Sequence, residues 1–228
     1  MKKNKWIARV VAYAIGLLIL AFGVAFSVNS NLGVSPANSF PYVVSLILNT
    51  KMGNCVTVIF ICYILLQILI LKKDFQWINL SQILFSTLFG KFVDFAKLVL
   101  GGFCIPTYAG RLLMLAISIV LIAIGISTYM GAKLVNMPTE GLASAIAAKL
   151  PNKEFHQVKV MVDCASVSAG FILSLIFLGG LQGIREGTII SAIVIAVGSS
   201  EITYELNEGT TSCEDGYLTV YTCKDCGA

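Results

Sequence analysis

Residues 32–50 read LGVSPANSFPYVVSLILNT and residues 134–150 read LVNMPTEGLASAIAAKL, and these two stretches decide the fold. Each contains proline, which suits the first turn of a helix because its missing N–H has no partner there anyway. We therefore predict short helices at 36–48 and 138–149, each ~18 Å long at 1.5 Å per residue. The hydrocarbon core of a bilayer is about 30 Å thick, so neither helix can cross it. We interpret both as re-entrant or interfacial half-helices.

The composition around these stretches is that of an integral membrane protein. Of the 228 residues, 57% are apolar and only 12% are charged, with a mean hydropathy of +0.86. A soluble chain with so little charge could not cover its surface with polar groups. Disorder and nucleic-acid binding are excluded for the same reason, because both require far more charge.

Six apolar segments are predicted to be membrane spans. Helices are favoured over a barrel, because no dyad alternation of hydrophobicity is present. The predicted fold class is thus an all-α polytopic protein of the cell (inner) membrane, with its N-terminus on the cytoplasmic side. The predicted spans are 10–28, 55–71, 80–100, 111–131, 157–178 and 187–200.

The chain matches itself when it is shifted by 102 residues. This shift superimposes four kinds of residue that apolar helices rarely share by chance, namely Arg9 and Arg111, Gly23 and Gly125, Pro36 and Pro138, and Lys51 and Lys153. We predict a first repeat at 1–104, a second repeat at 105–202 and an acidic tail at 203–228. With three spans per half, the second repeat would be inverted. Four spans per half would keep as many basic loop residues inside, so span length rather than charge favours three.

Three motifs give a family resemblance. They are Leu32-Gly33-Val34-Ser35-Pro36, Pro138-Thr139-Glu140-Gly141-Leu142, and Gly187-Thr188-Ile189-Ile190-Ser191-Ala192. Together they resemble the YczE/YitT-like bacterial membrane proteins over roughly residues 10–198, including the duplication. The resemblance implies an acid two residues after each proline and a basic-then-acidic pair in the fifth span. Glu140, Lys159 and Asp163 fit this pattern, whereas Asn38 replaces the first acid. The family is largely uncharacterised, so the resemblance implies an architecture and a membrane location.

Ionisable residues inside spans are candidates for function, because each costs at least about 2.5–3.5 kcal/mol to insert. Asp163 lies in the fifth span and Lys159 is four residues earlier on the same helical face. The two side chains are therefore expected either to neutralise each other as an intrahelical ion pair or to bind a solute.

A charged stripe crosses the third span. Lys91, Asp94 and Lys97 are spaced three residues apart on an otherwise apolar helix. One interpretation is a buried ladder of ion pairs that fixes helix packing. We favour the other, in which these residues line a pathway, because the stripe leaves one positive charge without a partner.

The half-helices bring further candidates. Glu140 lies in the first turn of the second half-helix, where the helix dipole favours a carboxylate even without a function. Asn38 holds the equivalent place in the first half, and Ser35 precedes it. A carboxyl group in a dry cavity would be able to carry a proton, since burial disfavours its charged form. We therefore predict Glu140 and Asn38 as site residues near the midplane, together with Ser35.

Motifs for catalysis and metal binding are absent from the sequence. It has no phosphate-binding loop and no G-x-S-x-G elbow, and its single histidine, His156, rules out paired-His metal signatures. Cys223-Lys224-Asp225-Cys226 in the tail is interpreted as part of a polar extension rather than a zinc site. We expect no enzyme activity, no metal and no cofactor, and as partners membrane lipid and a small solute.

The predicted function is a secondary transporter or permease of a small solute, with alternating access about the two half-helices. Short, proline-interrupted segments at corresponding places in two halves indicate a transporter's binding site. The alternative is a non-transporting membrane protein with a regulatory or partner-binding role. A cavity touching Asn38, Glu140, Asp163 and Asp94 would favour transport, whereas tight packing without a cavity would favour the alternative.

Overall fold

The computed structural model describes residues 2–132, 134–150, 153, 155–180 and 182–193, without the side chains of residues 2–5 and 78. All regular structure in these ranges is helical. Short 3-10 turns at Lys72–Asp74 and Trp77–Leu80 separate α3 from α4, and residues 186–193 are also helical. The α-helices are α1 Lys2–Ser30, α2 Pro36–Ile47, α3 Met52–Leu71, α4 Ser81–Leu100, α5 Tyr108–Gly131, α6 Pro138–Lys149 and α7 Phe155–Leu178.

Four of these helical segments are long and apolar enough to cross a membrane. They are Trp6–Ser30, Met52–Asp74, Tyr108–Gly131 and Phe155–Leu178. The 20-residue helix α4, predicted as a span at 80–100, has the length but carries three charged residues and is not among them. The predicted span 187–200 is described only up to residue 193, and the tail 203–228 with its three cysteines lies outside the described residues.

The half-helices begin at the predicted prolines. Pro36 and Pro138 are each the first residue of a 12-residue helix. Neither helix has a side-chain N-cap: Ser35 occupies that place before α2 without bonding the backbone, and Met137 occupies it before α6. Pro41 lies inside α2, which continues through it to Ile47, within one residue of the predicted end at 48.

The hydrophobic core lies among α1, α3, α4 and α5, and the most extensive helix contact is between α1 and α5. Gly16 of α1 approaches the backbone of Gly125 and Tyr129, whereas Gly23, two turns later, approaches Ser118. Rising residue numbers in α1 thus meet falling numbers in α5, so the two helices are antiparallel. Glycine is required at these positions because a side chain would separate the two backbones.

The helix α4 packs against α1 and connects this pair to α3. Each half-helix packs against both α3 and α7: α2 mainly against α7, and α6 mainly against α3. At one end of α3, residues 48–51 connect it directly to the C-terminus of α2. At the other end, Lys149 Nζ of α6 lies 2.8 Å from Asp74 Oδ2. The two half-helices therefore run from the middle of the molecule to opposite ends of α3, which is ~30 Å long at 1.5 Å per residue.

Candidate functional site

The N-termini of the two half-helices meet at one cavity of about 40 Å³ in the middle of the molecule. This volume is sufficient for a few water molecules, each of which needs roughly 10–15 Å³. Five of the seven site residues predicted from the sequence line it, namely Ser35, Asn38, Glu140, Lys159 and Asp163. The wall is completed by Leu20, Pro36, Ala37, Phe60, Phe89, Ile122, Ile126, Tyr129, Met137 and Thr139.

Three charged side chains form a buried triad in this wall. Lys159 Nζ lies 3.5 Å from Asp163 Oδ2, which is the intrahelical pair that their spacing predicts. The same Nζ lies 3.7 Å from Glu140 Oε1 on the half-helix α6. Lys159 and Glu140 are only 8% and 7% exposed. Lys159 therefore connects a half-helix to a candidate span, and the two interpretations of the sequence, ion pair and cavity site, apply to the same residues.

Charge in the cavity is balanced by the backbone as well as by side chains. Two carboxylates face one ammonium group, which leaves one negative charge if all three are ionised. Each half-helix adds roughly half a positive charge at its N-terminus. Glu140 lies in the first turn of α6, so its carboxylate and that partial charge attract each other. Asn38 in the first turn of α2 leaves the matching partial charge without an acid.

Two oxygen acceptors on side chains of the cavity wall are available to a ligand. Glu140 Oε2 and Asn38 Oδ1 are buried and have no hydrogen-bonding partner in the described part of the chain. The amide nitrogen of Asn38 does have a partner, since Nδ2 donates a hydrogen bond to Ser35 Oγ at 3.1 Å. A bound group that donates hydrogen bonds would satisfy these acceptors.

A second set of contacts holds the half-helix α6 in place. The fully buried side chain of Gln67 on α3 donates from Nε2 to the carbonyl oxygen of Pro138 at 3.1 Å. The same Nε2 lies 3.2 Å from Gln82 Oε1 on α4. Tyr13 of α1 donates its hydroxyl to the carbonyl of Val135, just before α6, at 3.0 Å. Three helices thus fix the segment that carries Glu140.

The charged stripe on α4 does not reach the cavity. Asp94 Oδ1 instead accepts a 2.8 Å hydrogen bond from the backbone N–H of Gly53 and so caps the first turn of α3. Lys97 Nζ lies 5.8 Å from the centre of the Tyr42 ring. Lys91 is exposed on the surface of the helix. The interpretation of this stripe as a pathway lining gains no support from these positions, since Asp94 takes part in helix packing.

Sequence reasoning missed two polar residues of the cavity. Tyr129 is 1% exposed, and its phenol group interacts with Glu140. Thr139 is buried beside Glu140 on α6. Tyr129 could have been found because it is a single tyrosine near the end of the apolar span 111–131. Thr139 stood in the quoted motif, and its position between Pro138 and Glu140 was the available clue.

No group of three or more His, Cys, Asp or Glu side chains able to hold a metal ion occurs within the described ranges. The four cysteines in these ranges, Cys55, Cys62, Cys104 and Cys164, are free thiols. The site is therefore characterised by its charges, its acceptors and the two helix N-termini.

Comparison with known proteins identifies a family. The model of a family of unknown function, DUF6198, matches residues 7–199. The uncharacterized membrane protein YczE of Bacillus subtilis (strain 168) is 28% identical over 148 residues, which are 64% of this chain and 66% of that protein. No solved structure matches the chain. The resemblance to YczE-like proteins, drawn above from three motifs, is confirmed. The chain is a membrane protein and belongs to the DUF6198 family.

Proposed function

We propose that this protein is a secondary transporter of a small solute, built from two inverted repeats that move about the central cavity. One observation carries the proposal: the N-termini of both half-helices and the buried triad of Glu140, Lys159 and Asp163 line the same cavity. Transporters place their sites in this way, near the midplane and at broken helices of two related halves. The proposal includes that the chain is not an enzyme.

The glycine contacts of α1 and α5 support the duplication. A methyl group placed on Gly23 would lie 3.1 Å from the carbonyl oxygen of Ser118. A methyl group placed on Gly125 would lie 2.9 Å from the carbonyl oxygen of Gly16. Adding 102 to residue number 23 gives Gly125, and subtracting 102 from residue number 118 gives Gly16. The shift therefore converts the first contact into the second. The exchange of halves that the sequence suggests thus preserves a backbone contact residue by residue.

The direction of these helices supports inversion. A twofold axis parallel to two equivalent helices makes them parallel, whereas an axis perpendicular to them makes them antiparallel. Because α1 and α5 are antiparallel, an axis relating them is perpendicular to the helices. If α1 and α5 cross the membrane, that axis lies in the membrane plane, which is the arrangement of inverted repeats.

The half-helices supply the element that would move. Nine residues separate Asn38 from the end of α2 and Glu140 from the end of α6, or ~14 Å of helix each. Together they approach the ~30 Å thickness of the hydrocarbon core. Separating α2 from its neighbours would open the cavity towards one side of the membrane, and separating α6 from its neighbours would open it towards the other.

The buried charges are the strongest argument against a purely structural role. Each ionisable group in a span costs about 2.5–3.5 kcal/mol to insert, and an apolar core of the same shape would avoid that cost. In the first repeat, Thr57 and Ile61 occupy the positions equivalent to Lys159 and Asp163. The first repeat therefore has no matching pair of charges, so the fold does not require such charges in each half. We propose that Glu140 exchanges a proton as the solute moves.

The small volume of the cavity favours the alternative function. About 40 Å³ accommodates a few waters but no larger solute, as expected of a non-transporting protein that uses the triad for packing. Under the transporter proposal this volume belongs to an occluded arrangement, and the site widens when either half-helix moves.

Flux in proteoliposomes distinguishes the two functions. The purified full chain is reconstituted, and uptake from a panel of small labelled solutes is measured with and without an inward proton gradient. Gradient-dependent uptake of at least one solute, absent from protein-free liposomes, is the expected result. A protein that is folded and inserted but moves no solute in the panel under either condition would favour the non-transporting alternative.

The role of Glu140 is tested in the same liposomes with Glu140→Gln, which keeps the side-chain shape and removes the ionisable proton. Proton-coupled flux should be lost while the protein stays folded and inserted. Glu186→Gln is the matched control, because Glu186 is an acid 44% exposed in its side chain and paired with Arg185. Normal pH-driven flux in Glu140→Gln would remove this residue from the mechanism. Asp163→Asn should behave like Glu140→Gln if it shares the site.

A further inference from the structure

A second cavity lies at the end of α3, and none of its lining residues lines the central cavity. It is an open groove of about 290 Å³ lined by Ile68, Lys72, Lys73, Phe75 and Trp77. Both lysines are exposed, and Trp77 is 81% exposed. The groove therefore combines two ammonium groups with an apolar and aromatic wall at the point where a candidate span ends.

We propose that this groove binds the headgroup of an anionic phospholipid. Lys72 and Lys73 would contact the phosphate, and Ile68, Phe75 and Trp77 would contact the glycerol and the upper part of the acyl chains. Basic pockets beside membrane helices select anionic lipids, and tryptophan is enriched at the level of the headgroups. The combination fits a lipid better than a free phosphate ion, which would gain nothing from the apolar wall.

The charges around the groove support this assignment. Asp74 is the acid nearest to the two lysines in the chain, and it is engaged elsewhere by Lys149 at 2.8 Å. It is therefore not the principal partner of Lys72 or Lys73, and no ion pair of these two lysines is found within the described ranges. Both lysines line the groove, so their like charges favour an anion bound there.

The backbone at Lys72 gives a second reason. Its φ is +48° and its ψ is −106°, a positive-φ conformation outside the αL region that residues other than glycine rarely adopt. A lysine there is strained, and such strain is retained where the side chain has a use. Since Asp74 of the same turn binds Lys149 at the end of α6, a lipid in the groove would also stabilise the end of this half-helix.

The test measures the thermal stability of the purified full chain in detergent, with added phosphatidylglycerol or with phosphatidylcholine of the same acyl chains. Phosphatidylglycerol should raise Tm by at least about 3 °C more than phosphatidylcholine does. The Lys72→Gln/Lys73→Gln variant should lose this difference. Lys51→Gln/Lys153→Gln should retain it, because this control removes the same charge from residues that do not line the groove.

Three outcomes would overturn the proposal. One is equal stabilisation of the parent protein by the two lipids, and another is an undiminished preference for phosphatidylglycerol in Lys72→Gln/Lys73→Gln. The third is reproduction of the whole effect by inorganic phosphate at the same concentration, which would indicate an anion site without a role for the apolar wall. The variants replace exposed side chains, and their Tm without lipid checks that they fold. The assay requires no transport, so its result is independent of the proposed function.

Discussion

Replacing Lys159 with methionine should lower the free energy of unfolding by about 3 kcal/mol, because it leaves Glu140 and Asp163 buried without their shared partner. The ammonium nitrogen lies 3.7 Å from one carboxylate and 3.5 Å from the other. At an effective dielectric constant near 20, each such contact contributes about 4.5 kcal/mol before desolvation is counted. Burial of the lysine opposes this gain, and one carboxyl group can bind a proton when the lysine is lost. We therefore expect the lower end of the 3–5 kcal/mol typical of a broken buried pair.

Removing all three charges together should restore most of the stability. The triple variant with Lys159→Met, Glu140→Gln and Asp163→Asn has none of the three charges of the triad, so it should unfold within about 1 kcal/mol of the parent protein. Lys91→Met is the matched control, because Lys91 is an exposed lysine on α4. Its effect should stay within about 0.5 kcal/mol.

The measurement is reversible unfolding in mixed micelles by titration with a denaturing detergent, followed by far-UV circular dichroism. Flux of the triple variant should be absent, since it lacks Glu140, the proposed proton carrier. A cost for Lys159→Met no larger than that for Lys91→Met would refute the reasoning. It would mean that the three charges do not stabilise one another in the folded protein.

Three further predictions concern the scaffold. Asp94→Ala should lower stability by about 1–2 kcal/mol through the loss of a helix cap, and should leave flux per folded molecule unchanged; a selective loss of flux would place this residue in the pathway. Gly23→Ala should cost about 1–3 kcal/mol, because its methyl group would lie 3.1 Å from an α5 carbonyl oxygen. The control Gly131→Ala, with no atom within 4 Å of the added methyl group, should change stability by less than about 1 kcal/mol. In a cysteine-free background, an impermeant thiol reagent applied to intact cells should label Lys51→Cys and spare Lys73→Cys, and the opposite pattern would contradict the proposed orientation.

Side-chain burial determines which residues are suitable for the labelling test of topology. Residues 49–54 are predicted to lie on the outer side and 72–79 on the inner side. Met52, in the middle of the first range, is buried at 1% exposure and would not react with a thiol reagent as a cysteine. Lys51 beside it is exposed, as is Lys73 in the second range. The sequence identifies the loops to be labelled, whereas side-chain exposure in the structure identifies the residues at which a cysteine can react.

The site was predictable from sequence where its contacts are local. Lys159 and Asp163 are four residues apart on one helix, so helical geometry alone brings them together. Asn38 and Glu140 were predicted to lie near each other because each follows a repeated proline, and both line the cavity. Thr139 and Tyr129 were missed because their positions in the sequence mark them as polar but do not show whether their hydroxyl groups face the cavity, which depends on helix packing.

Sequence by itself determined the membrane location, the helical class and the starts of the half-helices. Hydropathy sets the location because a chain with 12% charge cannot cover itself in water, and proline sets the helix starts because it lacks the backbone donor. Only the tertiary structure decided the partners across helices. Lys159 meets Glu140 over a gap of 19 residues, and Asp94 caps α3 at Gly53 over a gap of 41. Such contacts depend on how rigid helices pack against one another, and helix packing is fixed by the shapes of whole surfaces rather than by any local spacing in the chain.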